Sequence, residues 1–291
     1  MERLSKHATP FMKYAQTHSP FLHANLGHSL PRVCRLGLAT RGDTGLRPED
    51  VVHAIDQGIN FLNWCGTPDA LSQTIANLGS GRSAVVVCIQ FEARTAEEAR
   101  IELDGILREL NTDYVDVLTL YYVEAAQEWE QIRAPGGSLE FCAAARRDGR
   151  VRMIGMTSHQ RRLAAEMARS GLLDLLMIRY NAAHRGAETD VFPVTASLGL
   201  PTVVYTCLRW GALLGSTPDD PPGFDVPRAP AWYRFALQSP TVTVALMAPA
   251  NRAELDEDLS LLEAPGPLSA EQYERLAAHG RRVRQHGGGF P

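Results

Sequence analysis

The sequence predicts an α/β protein built as one closed (β/α)8 barrel, the TIM-barrel architecture. Three observations predict it. Eight short β-branched or apolar runs alternate with helical stretches from Pro31 onward, the helices between them carry ordinary start and stop residues, and no strand is followed by the Gly-x-Gly-x-x-Gly turn of an open dinucleotide-binding sheet. With 291 residues, 45% of them hydrophobic, the chain holds enough apolar material for such a core.

The runs that read as strands cover positions 33 to 40, 59 to 65, 84 to 91, 115 to 123, 151 to 157, 173 to 181, 201 to 206 and 242 to 247. Between them, Thr95 with Glu98 forms a capping box, and Pro48 and Pro68 suit first-turn positions that need no N–H. Gly58, Gly79, Gly149 and Gly171 each follow a helical stretch, where a left-handed residue is easiest for glycine. A last helix opens at Ser269 with Gln272 and runs toward Arg284. Three segments stand outside the rhythm: an N-terminal extension over 1–30, a Pro-rich, lid-like loop over 215–230 and a glycine-bearing flexible tail over 285–291. A solvated excursion without function is the alternative for the loop.

Composition narrows the function. The formal net charge is −4, from 29 basic and 33 acidic residues, and the Arg-Arg pairs lie on separate helices, so no nucleic-acid partner is expected. No stretch reaches the ~18 apolar residues of a membrane helix, and the N-terminus lacks a signal-peptide core, which points to the cytoplasm and away from a membrane. The five cysteines, Cys34, Cys65, Cys88, Cys142 and Cys207, show neither CxxC nor zinc spacing, so reduced thiols and no metal are expected.

The segments GINFLNWCGTPDALSQTI, LRELNTDYVDVLTLYY, GRVRMIGMTSHQ, RYNAAHRGAE and VVYTCLRWGALLG follow one another in an order that resembles the aldo-keto reductase family, in register over about residues 31 to 265. The resemblance implies an NADPH-dependent carbonyl reductase with an aspartate ending strand 2, a tyrosine just after it, a lysine ending strand 3 and a histidine ending strand 4. In that scheme the tyrosine protonates the carbonyl, the lysine lowers its pKa, the aspartate holds the lysine and the histidine orients the substrate. Here the four positions fall on Asn63, on Pro68 or Asp69, on Gln90 and on Tyr121. Losing both members of the Asp–Lys pair is coherent, because losing one would strand a buried charge. Two amides cannot stabilise a phenolate, however.

The family's cofactor contacts are also altered. Thr157 and Ser158 stand for the Ser-Asn after strand 5, and Met177 for the glutamine on strand 6. Tyr205 keeps the ring that stacks on nicotinamide, Leu208 and Gly211 belong to a turn whose amides could meet a pyrophosphate, and Arg252 remains near the adenosine phosphate position. NADPH is the cofactor implied by the resemblance, and these changes weigh against its retention.

Strand parity places Asn63, Gln90 and Tyr121 at the barrel mouth, with Tyr122 beside them and Cys65 and Cys88 on the same faces, a polar but uncharged lining. A barrel plugged by hydrogen-bonded neutral groups is the alternative reading. Arg179 shares the parity of Met177 and Asn181, and an arginine in a barrel strand must find a carboxylate from the protein or a ligand. His184 and Arg209 follow strands 6 and 7 and join Arg179 and Asn181 as candidate substrate contacts, rim salt bridges being the competing account. Glu92 and Glu124 offer carboxylates on the same face, and His159 reads as a helix-start residue. Three functions follow. One is an enzyme of changed chemistry acting on a small polar or anionic metabolite, with Tyr121 or Tyr122 carrying the proton and Arg179 clamping the anion. The others are a non-catalytic regulatory barrel with a protein partner, and an NADPH oxidoreductase using Tyr121 as proton donor.

Overall fold

The structure, a computed structural model, describes residues 19–27, 30–40, 44–263 and 266–287. Eight parallel strands close in sequential order: β1 (Leu36–Thr40), β2 (Phe61–Trp64), β3 (Val86–Phe91), β4 (Val115–Leu120), β5 (Val151–Ser158), β6 (Leu175–Arg179), β7 (Thr202–Tyr205) and β8 (Val242–Met247). β8 returns to β1 with Ala245, Leu246 and Met247 opposite Leu36, Gly37 and Leu38. The closed (β/α)8 barrel expected from the sequence is the fold observed.

The expected first strand, 33 to 40, is split at Arg35. Val33–Cys34 instead pairs antiparallel with His23–Ala24. The Arg35 guanidinium bridges the break, donating to the carbonyls of Phe21 (2.8 Å), Leu237 (2.9 Å) and Val242 (2.7 Å) and so tying the hairpin to the barrel. Leu26 and Val33 of this hairpin join Phe61 and Val86, the first residues of β2 and β3, in one apolar cluster, which stoppers the N-terminal end. The extension drawn over 1–30 thus has structure from Ser19, and positions 1–18 lie outside the described residues.

The helices form where the sequence marks them. α1 (Pro48–Asp56) has proline in its first turn, α3 (Ala96–Glu109) carries the Thr95/Glu98 capping box, and α11 (Ala270–His286) carries the Ser269/Gln272 box. Pro68 is not in a first turn. α2 (Ala70–Ala76) starts after Asp69, whose carboxylate accepts the N–H groups of Leu71 and Ser72, so the better N-cap sets the boundary. Gly58, Gly79, Gly149 and Gly171 all have positive φ, as helix stops require. The remaining helices are α4 (Ala126–Arg133), α5 (Ser138–Arg147), α6 (Arg161–Ala168), α7 (Ala187–Asp190), α8 (Phe192–Leu198), α9 (Ala229–Leu237) and α10 (Arg252–Leu259).

Alternation divides the core in two. Phe61, Cys88, Val117, Met153, Leu175 and Val244 fill the barrel, whereas Leu62, Ile89, Leu118, Ile154 and Ile178 face the helices. Trp64 lies on the helix side, as its parity predicts. Near the strand starts, the fully buried Asp116 of β4 meets Arg82 (2.8 Å) and Arg152 of β5 (3.0 Å) and accepts the N–H of Val87 of β3 (2.9 Å). This buried charge is met by two cations and an amide, and both guanidiniums flank the ring of Tyr114.

Three boundaries differ from expectation. β4 ends at Leu120 rather than running to Val123, because Tyr122 adopts a positive φ of 44° and leaves the sheet. The Pro-rich segment ends where α9 begins at Ala229, and it is fastened to α11 rather than left open. Asp220 takes Nε of Arg282 (2.6 Å) and Nδ1 of the fully buried His279 (3.0 Å), and Asp219 meets His286 (2.6 Å). At the other end of the chain α11 continues through His286, so the flexible tail is helical at 285–286, and positions 288–291 lie outside the described residues. Among the described residues no helix is long and apolar enough to cross a membrane.

Gly37 leaves room that its neighbours fill: a Cβ there would lie 2.9 Å from Val244 and 3.0 Å from Leu246 and Phe61. Gly37→Val should therefore overpack the interior and cost about 1–3 kcal/mol. Urea denaturation checks this, and an unchanged midpoint would show that the interior yields freely.

Candidate active site at the C-terminal barrel mouth

Interior parity carries Asn63 (β2), Gln90 (β3), Thr157 (β5), Arg179 (β6) and Tyr205 (β7) to the C-terminal ends of their strands. Asn63 is buried; its Nδ2 reaches Cys65 Sγ at 3.6 Å, and its Oδ1 has no hydrogen-bond partner. The Tyr205 hydroxyl is likewise buried and unpartnered. Burial is the main cause pushing the Tyr205 phenol well above its usual pKa, so it stays neutral. Cys88 sits deeper, and desolvation likewise raises its thiol pKa, keeping it protonated.

Beyond β4 the chain turns sharply. Tyr121 donates its N–H to the Phe91 carbonyl (2.8 Å), while Tyr122 turns left-handed and donates its N–H to Thr157 Oγ1 (2.8 Å). The following N–H, from Val123, reaches the Thr157 carbonyl (3.0 Å). Bulky residues with positive φ are uncommon, and such strain persists only where surrounding bonds impose it. The turn puts the Tyr122 ring against Tyr121 (centroids 3.9 Å apart) and His159 (4.2 Å), with Tyr205 edge-on to His159 at 6.2 Å. Arg94 fastens the outside of this turn, donating to the Tyr121 carbonyl and to Glu128.

His159 is a site residue that reading it as a helix start did not single out. Glu124 Oε1 accepts its backbone N–H (2.7 Å) and lies 3.3 Å from its Nδ1. Desolvation, then the charge of Arg179, lowers its pKa against the raising effect of Glu124. The pairing spans 35 residues of sequence, so no local motif advertises it.

Arg179 stands opposite Tyr205 in the β6–β7 register. It is half-buried, and desolvation lowers its pKa, with Tyr205 and Tyr122 acting in the opposite sense. Glu188, a carboxylate from the short helix α7 that follows β6, is held bidentately by Arg185 (2.8 Å twice) and by the Tyr180 hydroxyl (2.6 Å).

Other residues picked out by sequence turn to architecture. Asn181 uses both ends of its amide, accepting from Ala183 and His184 N–H and donating to the Thr206 carbonyl (2.8 Å), so it joins the β6 and β7 loops. Arg209, only 4% exposed, donates Nε to His184 Nε2 (3.1 Å) and its terminal nitrogens to the carbonyls of Val283 and Gly287, capping α11. Ser158 is fully buried, and its Oγ accepts the Gln160 N–H (3.0 Å). Leu208 and Gly211 lie in a turn where Thr206, Arg209, Trp210 and Gly211 all have positive φ. Arg252 pairs with Asp256 (2.8 Å) and Asp50 (3.2 Å) at the start of α10.

A profile of the Aldo/keto reductase family matches residues 47–230. The chain belongs to that family. It is similar to an uncharacterized oxidoreductase, YrpG, of Bacillus subtilis, with 24% identity over 65% of this chain and 67% of the relative. It is also 26% identical to the NADH-specific methylglyoxal reductase of Escherichia coli, over 46% of this chain and 40% of that one. The holo form of aldo-keto reductase AKR11C1 from Bacillus halodurans shares the fold, with TM-score 0.72 and 17% identity over 88% of this chain and 95% of its own. Family membership makes the protein one of an oxidoreductase family, and the mouth described above is where such barrels place their chemistry.

His184 gives the mouth a pH response. Desolvation, followed by the cations Arg209, Arg179, Arg284 and Arg161, lowers its pKa from 6.5 to about 4. Between those values the folded protein binds fewer protons than the unfolded chain, so this stabilisation is complete above pH 6.5 and is lost as the pH falls toward 4. Urea midpoints at pH 7.5 and about pH 5 should fall further for the parent than for His184→Gln. Equal falls would remove His184 from the response.

Proposed function

We propose that this family member binds a small polar or anionic metabolite at the barrel mouth and does not perform the family's NADPH-dependent carbonyl reduction. One observation carries the reading: Asn63 Oδ1 and the Tyr205 hydroxyl are buried, unpartnered and on mouth-facing strand ends. An unmet buried polar atom costs about 1–3 kcal/mol, which a ligand group supplying the missing hydrogen bond would regain. Arg179 supplies positive charge beside Tyr205, and the free thiols of all five cysteines accord with a reducing cytoplasm.

The family resemblance assigns aspartate, lysine and histidine to the positions of Asn63, Gln90 and Tyr121, and tyrosine to Pro68 or Asp69. Asp69 spends Oδ1 as the N-cap of α2 and is a carboxylate rather than a phenol, and Pro68 has no proton to give. Nothing in this set lowers the pKa of a phenol; burial raises that of Tyr205. The described residues fit NADPH poorly as well. Arg252 is committed to Asp256 and Asp50, while Glu254 accepts the Ala250 N–H (2.9 Å), placing a carboxylate where an adenosine phosphate would meet α10. Thr157 Oγ1 and Ser158 Oγ already accept backbone N–H groups. These features support a ligand other than NADPH.

Thermal-shift titration with acetate, malonate, succinate and 2-oxoglutarate, beside NADPH and NADH, tests this. Carboxylates should raise the melting temperature and NADPH should not. Arg179→Met should weaken carboxylate binding by about 2–5 kcal/mol while the fold survives. Stabilisation by NADPH alone would overturn the reading.

Reduction of methylglyoxal, tested because one relative is a methylglyoxal reductase, should stay at background with NADPH and with NADH. General acid catalysis contributes about 10²- to 10⁴-fold, and its usual acid is missing. Asn63→Asp with Gln90→Lys should not restore turnover, because position 68 still lacks a phenol. Steady turnover near 1 s⁻¹ in the parent would refute the assignment.

A further inference from the structure

The carboxylate–imidazole pair at the edge of the mouth belongs to none of the roles described so far. Glu124 Oε1 accepts the His159 backbone N–H and lies 3.3 Å from Nδ1, which fixes the ring from two directions. A carboxylate at that distance favours the ring proton on Nδ1 and leaves Nε2 as the basic nitrogen, and among the described residues no hydrogen bond engages Nε2. The segment bearing His159 is held residue by residue. Thr157 Oγ1 takes the Tyr122 N–H, Ser158 Oγ takes the Gln160 N–H, and the Tyr122 ring lies 4.2 Å from the imidazole. A left-handed tyrosine is thus maintained where it supports the histidine. A cleft of about 540 Å³ also reaches this pair from the outer side of the barrel, between Ala126 of α4 and Arg162, Leu163 and Glu166 of α6, so the pair stands between that cleft and the mouth, which it meets through Tyr122 and Tyr205.

We propose that His159, positioned by Glu124, is the acid–base residue of the mouth, moving a proton to and from a small carboxylate that carries an acidic O–H or C–H, such as a 2-hydroxy or 2-oxo acid. The choice of a carboxylate rests on the function proposed above; the acid–base role rests on the pair itself. In the forward step the ligand's proton passes to Nε2, and its electron pair remains on the ligand's oxygen or carbon. The imidazolium keeps Nδ1–H on Glu124, and the reverse step returns the proton, so no oxidant or reductant is needed. Burial and Arg179 keep the free imidazole neutral, as a base must be. Tyr121 and Tyr122 then frame the ligand rather than carry its proton.

Alkylation of the full chain with iodoacetate and with its neutral amide, mapped by peptide mass spectrometry, tests both parts. Nε2 displaces iodide, forming an N–C bond as the C–I bond breaks. His159 should be labelled at least tenfold faster by iodoacetate than by iodoacetamide, and Arg179→Met should bring the two rates within about twofold. Glu124→Gln should slow labelling by both reagents and shift the His159 ring proton toward Nε2 in ¹⁵N spectra, a change that lost packing alone would not produce. An unlabelled His159 in protein that carboxylates stabilise overturns the acid–base role while sparing the binding function. Equal labelling by the two reagents overturns the carboxylate class. Failure of every carboxylate to shift melting, with His159 still reactive, overturns the binding function alone.

Discussion

Closure of the barrel depends on two places where side chains are absent. Gly37 on β1 and Gly155 on β5 lie four strands apart in an eight-stranded ring, and both face inward. Around Gly37 the space is taken by Val244, Leu246 and Phe61, and around Gly155 by Leu175 and Thr119. Large side chains from neighbouring strands can therefore reach across, and the interior fills without splaying the β8–β1 seam. Everything at the mouth inherits its direction from this packing, because a shift of one residue in β2 or β6 would turn Asn63 or Arg179 toward the helices.

The closed interior governs which charges can live where. Asp116, near the strand starts, has two guanidiniums and a backbone amide to itself, and buried charge there is structural. Toward the mouth the lining becomes neutral: Asn63, Gln90, Thr119 and Tyr205 carry dipoles and hydroxyls rather than ions. Charge returns at the rim through Arg179, His159 and Glu124, where partial exposure keeps the desolvation cost moderate. A ligand entering this mouth meets ionisable groups first and hydrogen-bonding neutral groups beneath them.

Much of this was legible in the sequence, and the limits have physical causes. β-branched runs announced all eight strands, and period-two parity put Asn63 and Gln90 inside and Trp64 outside, because alternation is a local property. The end of β4 was not legible, since Tyr121, Tyr122 and Val123 continue an apolar run. A hydroxyl 35 residues away, Thr157 Oγ1, captures the Tyr122 N–H and turns the chain out of the sheet. Arg209 read as a substrate contact for the same reason: its partners Val283 and Gly287 come 74 and 78 residues later, from a helix whose docking no local pattern reveals. His159 carries no local signal of its role, because its carboxylate arrives from another loop.

The same long-range bonds tell positioning from reactivity among the polar residues of the mouth. Asn181, Arg209, Ser158 and Arg252 have the polar atoms described above committed to the protein, and each joins two elements that sequence alone leaves unconnected. Asn63 Oδ1, the Tyr205 hydroxyl and His159 Nε2 are not so committed, although the residues bearing them are held by strand pairing or by Glu124. A fixed side chain with an unspent hydrogen-bonding atom is what ligand recognition requires, because the entropy of ordering it is lost on folding rather than on binding. In this barrel those atoms gather on strand ends and loops at one rim, where inward parity from β2 and β7 meets the turn imposed on Tyr122.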